Sequence, residues 1–253
     1  MFEVAADLVA VLVVAAFFAG FVDAIAGGGG LITVPVLLLA GASPLEALAT
    51  NKLQGSFGAG TAALAYARAG HLRLREQAAM AVIAAVAGGV GALVAQLVPV
   101  EMLRRMMPVV LVAVALFFAV KPGLTDSDRT QRLRPALFAV TLVPAIAAYD
   151  GFFGPGTGSF YMIGFIMLAG FGVLKATAHT KLLNFASNLG SLAVFVLSGG
   201  VWWATGLAMA LAQTAGAALG ARLAMRVGAR LIKPLLVVTS TALALRLAWA
   251  AWG

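Results

Sequence analysis

Two lysines carry the first chemical signal in this chain. Lys52 and Lys181 each stand far from any expected loop, among apolar or small neighbours that run from Ala47 to Ala65 and from Ala176 to Ser198. A cation at the centre of a bilayer costs a few kcal/mol on insertion scales, so two of them need a reason. One reading has each ammonium snorkel to an interface or pair with a structural carboxylate. The other has them line a positively charged, water-accessible pocket for an anion, one lysine from each half of the chain. Uncharged polar groups crowd around both: Thr50, Asn51, Gln54 and Ser56 near the first, and His179, Thr180, Asn184, Ser187 and Asn188 near the second. Helical spacing puts Lys181, Asn184 and Asn188 on one face, where amide donors could replace the hydration shell of an oxyanion. Hydrogen bonds between helices are the structural alternative.

Two glycine-rich runs, Gly27-Gly28-Gly29-Gly30 and Gly154-Pro155-Gly156-Thr157-Gly158, precede unusually short apolar segments. Such runs break a helix, and broken backbone inside a membrane is tolerated only when buried in protein or lining a cavity. Discontinuous helices at equivalent places in two halves point to a transport site. N–H groups from Gly29 and Gly30 onward, and from Gly156, Thr157 and Gly158 onward, would offer positive dipole ends to an anion. Close helix packing is the structural alternative. Asp23 and Asp150 precede the two runs at matching positions, as candidates for carrying a coupling proton, pairing with a lysine, or capping a helix. His179 is a third proton-coupling candidate because imidazole titrates near neutrality, although Thr50 stands at its place in the first half. His71 reads as a solvated loop residue.

The elements that position these residues follow from composition. Of 253 residues 62% are hydrophobic and 10% charged, and mean hydropathy is +1.03. A soluble domain carries roughly a quarter charged residues, so lipid is the expected solvent. Spanning strands would alternate in polarity over roughly ten residues, and no sustained alternation occurs; the spans are helical. The net charge of +8 fits basic cytoplasmic loops facing anionic lipid better than nucleic acid, because no basic stretch interleaves with aromatics. With no cysteine there is no disulfide, thiol catalysis or thiolate metal site, and no cofactor is implied. Met1-Phe2-Glu3 and Asp7 lack the basic start of a cleaved signal, so the first span reads as permanent.

Apolar segments run over 4–26, 30–42, 44–67, 77–98 and 102–120, then over 135–150, 158–171, 173–198, 201–224 and 231–252. The expected organisation is a first membrane repeat over 1–120, a cytoplasmic linker over 121–134 and a second repeat over 135–253. Phe21 onward corresponds to Ala148 onward, and Ala40–Lys52 aligns without gaps on Ala169–Lys181 at a spacing of 129 residues. This reads as an internal duplication. Arg68, Arg73 and Arg75 follow segment 3, whereas its counterpart SGGVWWATG is uncharged; Arg222, Arg226, Arg230 and Lys233 follow segment 9, against Glu101, Arg104 and Arg105 in the first repeat. If basic loops are cytoplasmic, equivalent loops lie on opposite sides and the repeats are inverted, with ten spans and both termini outside. Arg104, Arg105 and Arg246 fit that poorly. The rival has eight crossings, with short segments 2 and 7 re-entrant. Ala212, Gly216 and Gly220, with Gly88 and Ala92 in the first half, suit close helix contact. Trp202, Trp203, Trp249 and Trp252 suit interfacial anchoring.

VDAIAGGGGLITVPVLLLAG (22–41), ALATNKLQGSFGAG (47–60), GFFGPGTGSF (151–160) and ATAHTKLLNFASNLGSL (176–192) together resemble the TauE/SafE family, often called sulfite exporters, over nearly the whole chain. The resemblance implies a multi-pass permease of a bacterial inner membrane for sulfur-containing or related small organic anions, such as sulfite, sulfoacetate or sulfonates. The family's ATNK and TK-x-x-N motifs fall here on Thr50, Asn51 and Lys52 and on Thr180, Lys181 and Asn184.

The expectation is therefore an all-α membrane protein acting as a secondary transporter, not an enzyme. Proton coupling is open, and a negative-inside potential favours export of an anion. A passive anion channel could use the same pocket. An intramembrane aspartyl protease on Asp23 and Asp150 is a remote alternative that lacks the GxGD motif. The expected partners are a small anion and lipid, with a second copy of the chain as a candidate.

Overall fold

The computed structural model describes residues 2–103, 105, 106, 109, 128 and 130–228. Most of segment 102–120 and of the 121–134 connection lies outside the described residues, as does all of 231–252. Arg104, Arg230, Lys233, Arg246, Trp249 and Trp252 lie outside them too.

The described chain is helical, with no strand among its residues. Its helices are α1 (Ala6–Ala26), α2 (Gly30–Leu39), α3 (Pro44–Arg68), α4 (Leu74–Leu97), α5 (Pro135–Val140), α6 (Leu142–Phe152), α7 (Thr157–Met167), α8 (Val173–Leu197) and α9 (Trp203–Val227). Five stretches are long and apolar enough to cross a membrane: α1, α4, Pro135–Phe152, α8 and α9. At 25 residues α3 has the length, but Asn51, Lys52, Gln54 and Ser56 lower its hydropathy. It tolerates them because that polar face is buried against protein rather than lipid. Its start is defined by a capping box: Ser43 N–H donates to Glu46 Oε2 at 2.7 Å and Glu46 N–H to Ser43 Oγ at 3.4 Å, ahead of Pro44, whose fixed φ suits the first turn.

At 10 and 11 residues, α2 and α7 are only about 15 Å long, half the thickness of a hydrocarbon core. Contacts fix which way they run. The Phe17 and Phe21 carbonyls lie against Gly216 and Gly220 of α9, so α1 and α9 are parallel; Leu53 meets Gly206 and Gly58 meets Gln213, so α3 is parallel to α9 as well. Helices α1 and α3 therefore start at the same end, and α2 brings the chain back to it. In the second half Arg132 N–H and Leu133 N–H both donate to Leu168 O at 2.9 Å. The start of α5 thus sits beside the end of α7, and α7 likewise returns. Helices α3 and α8 run antiparallel, because Gly55 faces Asn188 while Gly60 faces Phe185.

The packing partners cross the sequence halves. Helix α9 packs along α1 and α3, whereas α4 packs along α6 and α8. Carbonyls at corresponding places make corresponding contacts: a Cβ on Gly220 would lie 2.4 Å from Phe21 O, and one on Gly91 would lie 2.0 Å from Ala148 O. Small residues on α4 and α9 are what permit these approaches. The tips of the two broken segments meet, with Ser159 Oγ donating to Ala26 O at 3.0 Å. Gly27 turns there at φ +82°, and a Cβ on it would stand 2.5 Å from Ser159 N, so this position requires glycine on both counts.

Candidate functional site

Where α1 ends and α2 begins, the chain reverses around Asp23. Its Oδ1 accepts from Gly29 N–H at 3.1 Å, and its backbone carbonyl accepts from Gly27 N–H at 2.9 Å. Lys181 of α8 reaches this reversal: its Nζ donates to Asp23 O and lies 3.2 Å from Asp23 Oδ2. The second reversal mirrors the first. Lys52 Nζ of α3 lies 2.7 Å from Asp150 Oδ1 of α6, and the Ser187 hydroxyl donates to Asp150 Oδ2. Gly154 leaves room for that ammonium, since a Cβ there would be 2.8 Å from Lys52 Nζ. Both lysine side chains are fully buried. Each lysine thus pairs with the aspartate of the opposite half. A buried charge needs a partner and hydrogen bonds to its remaining atoms, and these pairs supply both.

Between the pairs lies a cavity of about 20 Å³, counted over the positions open to the centre of a water molecule. Gly29, Gly30, Gly156, Thr157 and Gly158 line it, as do Asn51, Asn184, Asn188, Asp23 and Asp150. The starts of α2 and α7 both face it. Among the described residues the N–H groups of Gly30 and Gly158 donate to no protein acceptor. Asn51 is oriented by Thr33 Oγ1, which donates to Asn51 Oδ1 at 2.7 Å. Asn188 Nδ2 donates to Asn184 O at 2.6 Å and to Asn184 Oδ1 at 3.1 Å, and the Asn184 amide hydrogens have no acceptor among the described residues. The wall is therefore rich in donors, and each of its two carboxylates is balanced by the lysine behind it.

Other residues singled out from the sequence lie elsewhere. Thr50 accepts from Trp202 N–H at 3.0 Å and so ties α3 to the start of α9. Gln54 turns its Nε2 to Asn51 Oδ1 at 3.4 Å, and the buried Thr180 hydroxyl has no partner among the described residues. The His179 ring packs 5.6 Å from Phe165 and 4.9 Å from Phe171, between ring centroids, outside the cavity. The lysines themselves sit behind the carboxylates that line the wall.

A family model described as sulfite exporter TauE/SafE matches residues 12–247. The chain belongs to the sulfite exporter TauE/SafE family. It is 56% identical over 247 residues to a probable membrane transporter protein, ORF9, of a Sinorhizobium species, covering 98% of this chain and 95% of that one. It is 42% identical over 253 residues to the probable membrane transporter protein YfcA of Escherichia coli K12, covering 100% and 94%. A probable membrane transporter protein of Haemophilus influenzae is 42% identical over 238 residues, covering 94% and 93%. No solved structure matches. This TauE/SafE member is a multi-pass membrane protein of a transporter family, not of an enzyme family.

Sequence reasoning reached Gly28 and Gly154 only as members of the glycine runs and did not single out Gln213 or Gly55 in the cavity wall of this TauE/SafE chain. For Gln213 a signal existed: it is the one amide within segment 201–224, and it adjoins the small-residue stripe of α9.

Proposed function

We propose that the chain exports a small sulfur-containing or related organic anion, such as sulfite, sulfoacetate or a sulfonate, across the cytoplasmic membrane, with proton movement coupled to the cargo. One observation supports this above the rest: two lysines of the duplication are cross-paired with two aspartates around a donor-lined cavity. Each of its carboxylates is balanced by a lysine, so an anion entering it must meet a lysine whose aspartate has been protonated or displaced. Asp23 and Asp150 are the proton carriers in this scheme. Lys52 and Lys181 attract the anion, while Asn51, Asn184, Asn188 and the N–H groups of Gly30 and Gly158 replace its water. The family's description names sulfite and export, and the curated relatives are described as probable transporters.

Helices α3 and α8 correspond in the duplication yet run antiparallel, which supports inverted repeats. The sides can then be assigned. The starts of α1, α3 and α9 carry Glu3, Asp7 and Glu46, while the opposite end gathers Arg68, Arg73, Arg75, Arg132, Arg134, Lys175, Arg222 and Arg226. The basic end faces the cytoplasm. Because α2 and α7 turn back, the sidedness is that of the ten-segment scheme, while the helix lengths are those of the re-entrant one. The bodies that rock during alternating access are then α1–α3 with α9 and α4–α8, not the two halves of the sequence. Both ion pairs bridge these bodies, so cargo that loosens a pair also loosens the closed state.

The test is flux of labelled sulfite, sulfoacetate and methanesulfonate from proteoliposomes under imposed pH gradients. Saturable flux that responds to the gradient is expected, and it should be abolished by Lys52→Ala and by Lys181→Ala. Wild-type flux from both variants would remove the proposed site. Non-saturable flux indifferent to the gradient would mark a passive channel instead.

A further inference from the structure

Gln213 stands apart from the other polar groups of the cavity. It is 3% exposed, lines the cavity from α9, and its Oε1 has no hydrogen-bond partner among the described residues. No bond to its Nε2 is present among the described residues either. A buried unpaired amide carries a desolvation penalty with nothing to offset it, and here the backbone is arranged to admit it. A Cβ on Gly58 of α3 would lie 2.7 Å from Gln213 Cγ and 2.8 Å from its Nε2; a Cβ on Gly20 of α1 would lie 2.8 Å from the same Cγ. Two glycines on two helices therefore form the slot through which this side chain reaches the cavity. The arrangement has no twin, because Ala84 occupies the matching place at the 129-residue spacing.

Elsewhere in the wall the Gly30 and Gly158 N–H groups are donors, the carboxylates are held by lysines, and each asparagine amide has its oxygen or its nitrogen already engaged, Asn51 and Asn184 by the oxygen and Asn188 by the nitrogen. An amide adds a donor and an acceptor side by side. That edge is complementary to a group in which one oxygen is bare and its neighbour carries a hydrogen: O–H donates to Oε1 while the bare oxygen accepts from Nε2. An anion without a hydrogen can satisfy only half of it. We propose that Gln213 is a specificity-determining residue that selects small oxyanions retaining one acidic hydrogen over equally charged anions with none. This rests on the transporter reading above and narrows its cargo.

The experiment compares hydrogen sulfite with methanesulfonate, two monoanions of similar size of which the first alone has an O–H. Flux is measured in proteoliposomes with equal pH on both sides, scanned across the second ionisation of sulfite. In the wild type, sulfite flux should follow the hydrogen sulfite fraction and fall as pH rises. Gln213→Met keeps length and volume while deleting the amide. It should lose about tenfold to a hundredfold of hydrogen sulfite flux and a clearly smaller part of methanesulfonate flux, which loses one hydrogen bond rather than two. Gln213→Glu provides a second variant of nearly the same shape, expected to lose hydrogen sulfite flux more steeply with pH as its carboxyl ionises. Equal losses for both anions, or unchanged hydrogen sulfite flux in the variants, would overturn the assignment while leaving the transporter intact. Wild-type protein that moves neither anion would overturn the transporter reading itself.

Discussion

Burying Lys52 or Lys181 alone would be costly, and each is stabilised by a carboxylate from the far half of the chain. Removing one partner leaves the other charged and unpaired, which costs about 3–5 kcal/mol, whereas removing both is often close to neutral. Lys52→Ala is therefore expected to lower the thermal unfolding midpoint in detergent markedly. The double substitution of Lys52→Ala with Asp150→Ala should recover much of that loss and none of the flux. If the double variant is no more stable than the single one, the ion pair is not the source of the effect. The lysines were legible as functional candidates because their type is so improbable in an apolar span. That Asp23 and Asp150 could pair with a lysine was legible too, but not which pairs with which, because Asp150 is 98 residues from Lys52 and Asp23 is 158 from Lys181. The same distance hid Gln213, whose meaning comes from Gly20 and Gly58.

Among the elements, α4 and α9 are held by backbone contact rather than by interdigitated side chains. Gly220 against Phe21 O and Gly91 against Ala148 O leave no space for a side chain. Gly220→Leu and Gly91→Leu should each destabilise by about 1–3 kcal/mol or more through overpacking, read as earlier unfolding in detergent. The start of α9 shows a different device. Ala204 N–H, Thr205 N–H and the Thr205 hydroxyl donate to the Glu3 carboxylate at 3.0, 2.9 and 2.6 Å. Burial pushes the Glu3 pKa up, but these hydrogen bonds outweigh it and hold the carboxyl below its ordinary value. A depressed folded-state pKa contributes stability that is present above the unfolded value and lost as pH falls through the folded one. Glu3→Gln should cost about 1 kcal/mol near neutrality and blunt the acid-side loss of stability; an unchanged acid limb would place that loss elsewhere. Helix existence was readable from composition and periodicity alone. The shortness of α2 and α7 was readable from the glycines before them, but not that their tips meet each other through Ser159 and Ala26.

At the scale of the molecule, the absence of cysteine makes sidedness directly measurable. Ala69→Cys, at the end of α3, should react with an impermeant thiol reagent only from the cytoplasmic face. Ser198→Cys, at the end of α8, should react only from the outside. Both positions are exposed, and both reacting from one side would refute the inverted arrangement. The rocking bodies proposed above make a second demand. A crosslink between α9 and α3 should leave flux intact, whereas one between α3 and α8 should arrest it.

By itself the sequence determined the solvent, the helical class and the residues too polar for lipid, since each follows from local composition. Tertiary structure alone decided which aspartate meets which lysine, that α4 and α9 change sides between the halves, and that a glutamine completes the cavity. Those relations depend on contacts between residues far apart in the chain, and a hydrophobic span looks the same to a sequence whichever neighbour it packs against. A pattern of apolar residues states that a helix is buried in something; only packing states in what.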